Sequence, residues 1–112
     1  MSDLAFRAVP NSTLRLSAAT VLGAAPTLAN LPAGSGTQVR IYNRGSVPVS
    51  IEFGAKADMA LPVLPVAGGA AGAQSIPPGA VEVQTLQQGQ RHVAIAVASG
   101  TPDVEITTGS GI

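Results

Sequence analysis

The sequence predicts an all-β fold, an antiparallel β-sandwich of jelly-roll or immunoglobulin-like type with about seven or eight short strands and little or no helix. Three observations predict it. Apolar and polar residues alternate with period two in short segments, as half-buried strands require. Gly, Pro, Asn and Ser fall in every gap, at a spacing of roughly ten residues. No window keeps a helical stripe: Ala18 to Ala29 has good helix formers, but Gly23 and Pro26 interrupt them. With 46% apolar and 11% charged residues in 112, the chain can fill one core as a single domain. One antiparallel sheet would cover only one face of that core, so two layers are expected.

The elements follow in chain order. Leu4, Phe6 and Ala8 alternate, which allows a strand in the N-terminal arm, residues 1–11. Asn11-Ser12-Thr13 reads as a turn before the next strand, where Leu14 and Leu16 oppose Thr13, Arg15 and Ser17. Thr20 to Leu31 is expected to hold one short strand and a turn. Val39 and Ile41 oppose Gln38, Arg40 and Tyr42; Val47, Val49, Ile51 and Phe53 oppose Pro48, Ser50, Glu52 and Gly54. Between them Asn43-Arg44-Gly45-Ser46 tolerates positive φ, predicting a hairpin. Pro48 lacks a ladder donor, so its strand is expected at an edge or a bulge. Three further strands are centred on Val81, Val83 and Thr85, on Val93, Ile95 and Val97, and on Val104, Ile106 and Thr108. Ala55 to Pro78 breaks the rhythm as a long Ala/Gly/Pro-rich loop of apolar character, either a crossover packed on its own domain or a contact arm for another subunit.

Composition excludes several classes of chemistry. Six Lys+Arg balance six Asp+Glu, with no basic cluster, so nucleic-acid binding by counterion release is not expected. No Cys and one His leave neither thiolate chemistry nor an ordinary zinc site, and no metal or cofactor is expected. The uncharged stretches Leu16 to Val39 and Met59 to Val81 are long enough to cross a bilayer, but their prolines and glycines argue against transmembrane helices. No membrane partner is expected. No basic region followed by an apolar run marks a secretory signal in Met1 to Arg7, so the expected compartment is the cell that makes the protein.

His92 falls on the outward side of its strand, and no G-x-S-x-G motif accompanies it. Glu52, Glu82 and Glu105 fall on outward faces beside Arg15 and Arg40, where cross-strand ion pairs account for them better than a glycosidase dyad. Gly34-Ser35-Gly36, Gly68-Gly69 and Gly109-Ser110-Gly111 lack the Lys-Ser/Thr of a phosphate loop. Phe6, Tyr42, Phe53 and no Trp give little for stacking on sugars or bases. No catalytic residue is assigned. By elimination the working surfaces are backbone edges, apolar patches and loops.

Residues 37–111, with a gap across the long loop, carry a resemblance. Val39-Arg40-Ile41-Tyr42-Asn43-Arg44-Gly45, the Val47 to Gly54 segment closing on Phe-Gly, Ile76-Pro77-Pro78-Gly79 leading into Val81, the Ala-rich His92 to Ala98 and the final Val104 to Gly111 come in an order that resembles the small β-sandwich virion proteins of tailed bacteriophages, in particular head decoration or cement proteins. The long loop departs most from that pattern. The resemblance implies a non-enzymatic protein of the capsid surface, made in the bacterial host cytoplasm, which bridges major capsid protein subunits and self-associates as a trimer or dimer. Contact elements would be Leu4, Phe6 and Arg7 of the arm, and Met59, Leu61, Val63, Leu64 and Val66 of the loop. The alternatives are a head–tail connector, tail or fibre component, or a stand-alone ligand-binding sandwich module.

Overall fold

The computed structural model describes residues 6–31 and 37–110; Leu4 and the rest of the arm's first five residues, Gly34, Gly36 and Gly111 lie outside them. The described residues form seven strands: β1 (Arg7–Leu16), β2 (Thr37–Asn43), β3 (Val49–Gly54), β4 (Gln74–Ile76), β5 (Val81–Thr85), β6 (His92–Ala96) and β7 (Val104–Ser110). They make a four-stranded sheet in the order β1-β7-β2-β5 and a three-stranded sheet in the order β4-β3-β6. Every pairing is antiparallel, and no helix occurs among the described residues.

Alternation places the core. Directly paired residues share a face, so Leu14, Ile106 and Ile41 form one inward row of the larger sheet, and Ile51 with Ile95, and Phe53 with Val93, form rows of the smaller one. Val39, Ile41, Val49, Ile51, Ile76, Val93, Ile95, Val104 and Ile106 are buried together with Leu28. All but Leu28 are β-branched, a shape that suits a pleated surface.

The pairing is nested. β1 pairs with β7, β2 with β5, and β3 with β4. Residues 17–31 lie along β6: Thr20 donates to the Ile95 carbonyl, Val93 to Pro26 and Leu28 to Arg91, with a single bridge between Thr27 and His92. Counting this segment as an element, the first meets the last and the second the last but one, inward to β3 and β4.

This wrap overturns the expected hairpin, because β2 and β3 belong to different sheets. Asn43 explains the divergence. It is fully buried; its Nδ2 donates to the Val47 and Ile76 carbonyls at 2.9 and 2.8 Å, and its Oδ1 accepts from the Gly45 amide at 3.1 Å. Those bonds turn the chain across the sandwich instead of back along β2. Pro48 lies just before β3, which is the central strand of its sheet, so its missing donor falls outside the ladder and neither edge nor bulge is needed. Thr20 to Leu31 forms no strand, only the bridge, because Gly23 and Pro26 break it. The long loop ends early, at β4. Asn11 (φ 56°) lies inside β1, where residues 9–12 stand against Thr108 alone; Ser12 Oγ bonds to the Val9 and Thr108 carbonyls and closes this bulge.

Candidate contact surface

Bare apolar side chains concentrate on the two irregular segments. Val21 and Leu22 are 70% and 69% exposed, and Val63 and Val66 62% and 69%. Val21 and Leu22 stand in a turn closed by the Ala24 amide on the Val21 carbonyl, with Gly23 at φ 85°. In the other segment the Ala73 amide donates to the Val63 carbonyl at 2.7 Å and Gly69 to Val66 at 2.9 Å, so 63–73 is a loop closed on itself. Gly72 makes that closure possible, since a Cβ there would lie 2.7 Å from the Pro65 nitrogen. A hydrogen bond from Ala25 to the Ala57 carbonyl, 3.0 Å, ties the two segments together.

The sequence-predicted contact residues divide accordingly. Val63 and Val66 face solvent, whereas Met59, Leu61 and Leu64 are half-buried and Pro62 is buried. Met59 packs on Gly54, whose missing side chain leaves room for its thioether. The loop is thus both a packed crossover and an exposed apolar tip. Between it and residues 52–54 lies an open cavity of about 370 Å³ walled by Met59, Leu61, Val63 and Ala73. Among the described residues Glu52 is its only ionisable wall, so it offers shape and apolar area more than chemistry. Phe6 folds its ring over Gly109 of β7, and Arg7 is exposed at the start of β1. Leu4 lies outside the described residues.

Sequence reasoning missed Val21 and Leu22, whose signal was a pair of apolar residues directly before a turn glycine. The structure also reverses the expected direction of β5, where Glu82 was placed outward: paired with Ile41, it stands on the inward side. Val81 and Val83, each 47% exposed, pair with Tyr42 and Arg40 on the outer face, opposite the side of Ile41 and Glu82.

The titratable groups are held by structure. Arg15 makes two 2.9 Å bonds to Asp103, and Arg44 reaches both Asp103 and Glu105. The hydrogen bond from Arg15 holds the Asp103 carboxyl below its ordinary range; desolvation opposes it, and the charges of Arg15 and Arg44 each add a smaller lowering effect. The ion pairs expected for Glu52, Glu82 and Glu105 form at Glu105 alone, through Arg44; Glu52 and Glu82 make none among the described residues. His92 is on the expected side of β6 but is half-buried under residues 25–28. Its Nε2 lies 3.1 Å from the Thr27 hydroxyl, while Nδ1 is buried with no hydrogen-bond partner among the described residues. A catalytic triad places an orienting group on that second nitrogen. No group of three or more His, Asp or Glu arranged to hold a metal occurs among the described residues, and no helix there is long and apolar enough to cross a membrane.

Comparison with protein-family models, curated proteins and solved structures finds no match to this chain.

Proposed function

We propose that this chain is a non-enzymatic structural protein of a tailed-phage virion, which decorates the capsid and stabilises it by bridging major capsid protein subunits. The observation that carries this reading is the exposure of Val21, Leu22, Val63 and Val66 on two segments tied at Ala25 and Ala57. Burying such a side chain against a partner is worth about 1.5–3 kcal/mol before the costs of association. A handful of them makes a modest interface, and modest interfaces become strong when repeated over a symmetric lattice.

Two further observations support it. The order of segments over 37–111 resembles that of phage decoration proteins. The nested strand pairing is the wrap of a jelly roll whose second strand has become the irregular segment 17–31; viral capsid domains share that architecture with lectins and cupins, so it adds weight only by analogy.

Quantitative mass spectrometry of purified particles tests the proposal. The expected result is a copy number of the same order as that of the major capsid protein. A ring-like stoichiometry would move the chain to the neck, tail or fibres, and absence from particles overturns the virion reading. On particles, the double variant Leu22→Ser/Val66→Ser keeps its thermal midpoint and loses occupancy.

A further inference from the structure

We infer that β5 is a self-association edge, along which a second copy of this chain pairs antiparallel about a two-fold axis through Val83, joining the two larger sheets into one. The inference stands on the sheet edges alone and goes beyond the capsid reading.

Unpaired edge strands invite pairing with other chains, and proteins blunt them with bulges, prolines, short length or covering segments. Three of the four edges here are blunted. β1 carries Pro10 and the bulge at 9–12. β6 is covered by residues 17–31. β4 has three residues and runs into Pro77-Pro78. Among the described residues β5 has no bulge, proline or covering segment: it is five residues, VEVQT, in unbroken register with β2, with Val81 and Val83 exposed, and its one charge, Glu82, stands on the side of Ile41, where pairing about Val83 gives it a partner.

The hydrogen-bond phase of β5 selects the occupant. Asn43 donates to the Ala80 carbonyl and Leu86 to the Thr37 carbonyl. In this register the bonded positions are therefore 80, 82, 84 and 86, and the amides and carbonyls of Val81, Val83 and Thr85 point away from β2. A copy related by a two-fold axis through Val83 presents the same three residues. Val83 meets Val83 and Val81 meets Thr85 on each side, so every outward group of the strand finds a partner. Sliding the axis to Gln84 leaves Val81 unpaired. Sliding it to Glu82 leaves Thr85 unpaired and sets two carboxylates directly opposite, about 4.5 Å apart between Cα atoms.

Charge agrees with the Val83 register. Each Glu82 then faces Gln84 of the other copy, whose amide can donate; the Gln84 amide already holds Gln74 of β4 but keeps a second hydrogen. The two Glu82 residues approach only diagonally, at about 7–8 Å. Arg40 pairs with Val83 inside each copy, so the two Arg40 residues lie three strand spacings apart, about 14 Å, beyond the screening length at physiological salt. On the outer face the exposed valines cover one another at the axis.

The purified full chain tests this by sedimentation over a concentration series. Wild type is expected to dimerise. Val83→Pro removes the outward amide at the axis without touching a bond to β2, a position where an edge strand accepts proline, and Val83→Lys is a second variant with all amides kept. Each should weaken dimerisation by at least about tenfold with the thermal midpoint of the dilute monomer unchanged. Because the chain has no cysteine, Val83→Cys should be joined by a short bismaleimide far faster than Val21→Cys. A wild type that stays monomeric overturns the inference, as does a dimer that both Val83→Pro and Val83→Lys leave intact or crosslinking no faster at Val83→Cys than at Val21→Cys. None of these results bears on particle occupancy, so the capsid reading stands or falls separately.

Discussion

Asn43 joins more parts of the chain than any other side chain described. Its amide group bonds to the carbonyls of Val47 and Ile76, and its backbone donates to Ala80 and accepts from Gly79, so one buried residue fixes the end of β2, the approach to β3, the end of β4 and the approach to β5. Asn43→Ala strands two buried carbonyls and is expected to cost about 2–4 kcal/mol by urea unfolding. Asn43→Asp should cost at least as much at neutral pH, because it turns an acceptor toward those carbonyls; a milder loss would show that the network is not what holds the turn. Asp103 gives a prediction in pH. Its folded pKa lies below the ordinary value of 3.8, so the stability it supplies is fully present above that value and is lost as pH falls through the lowered pKa. Below about pH 4 the thermal midpoint of wild type should fall more steeply than that of Asp103→Asn, and parallel curves would discount the Arg15 bond. Asn43 was legible in sequence as a turn residue. That it is buried was not, since the same Asn-x-Gly string serves an exposed hairpin and a crossing between sheets.

At the scale of elements, β1, β2, β3, β6 and β7 were legible because each buries one face, and alternation records that burial residue by residue. β5 was legible as a strand but not in direction. Alternating Val and polar residues give the period and leave the phase to the neighbours, and its valines turn outward. Segment 17–31 and the 63–73 loop leave no periodic trace because their order rests on isolated backbone bonds. Of the expected contact residues, composition located the apolar loop, while the split between half-buried Leu61 and Leu64 and bare Val63 and Val66 depends on a closure no pattern encodes. Gly72→Ala probes it: the added methyl meets the Val63 carbonyl and the Pro65 backbone, and should open the loop at a cost of about 1–3 kcal/mol. Limited proteolysis should then cut within 55–73 sooner than in wild type. An unchanged cleavage pattern would mean that the loop yields without opening.

At the scale of the whole molecule, the nested wrap sets which contacts are local. Only β3 with β4 and β2 with β5 lie in the middle of the chain; β1 must find β7 across nearly its full length. Loop closure on that scale precedes any gain from burial, which places folding among the slower two-state topologies. Sequence periodicity fixed the two-layer class, because ten or so inward aliphatic residues need a second layer, whereas strand order depends on pairings between distant segments that alternate in the same way. The wrap also decides how the molecule bears load. Arg7 stands opposite Ser110 at one end of the β1–β7 pair, so a force pulling on both chain ends peels the ladder open one bond at a time instead of shearing many at once. The β1–β7 pair therefore resists tension applied at Arg7 and Ser110 less than shear along its strands, and load brought in through the sandwich faces, loops and strand edges spares that weakest direction.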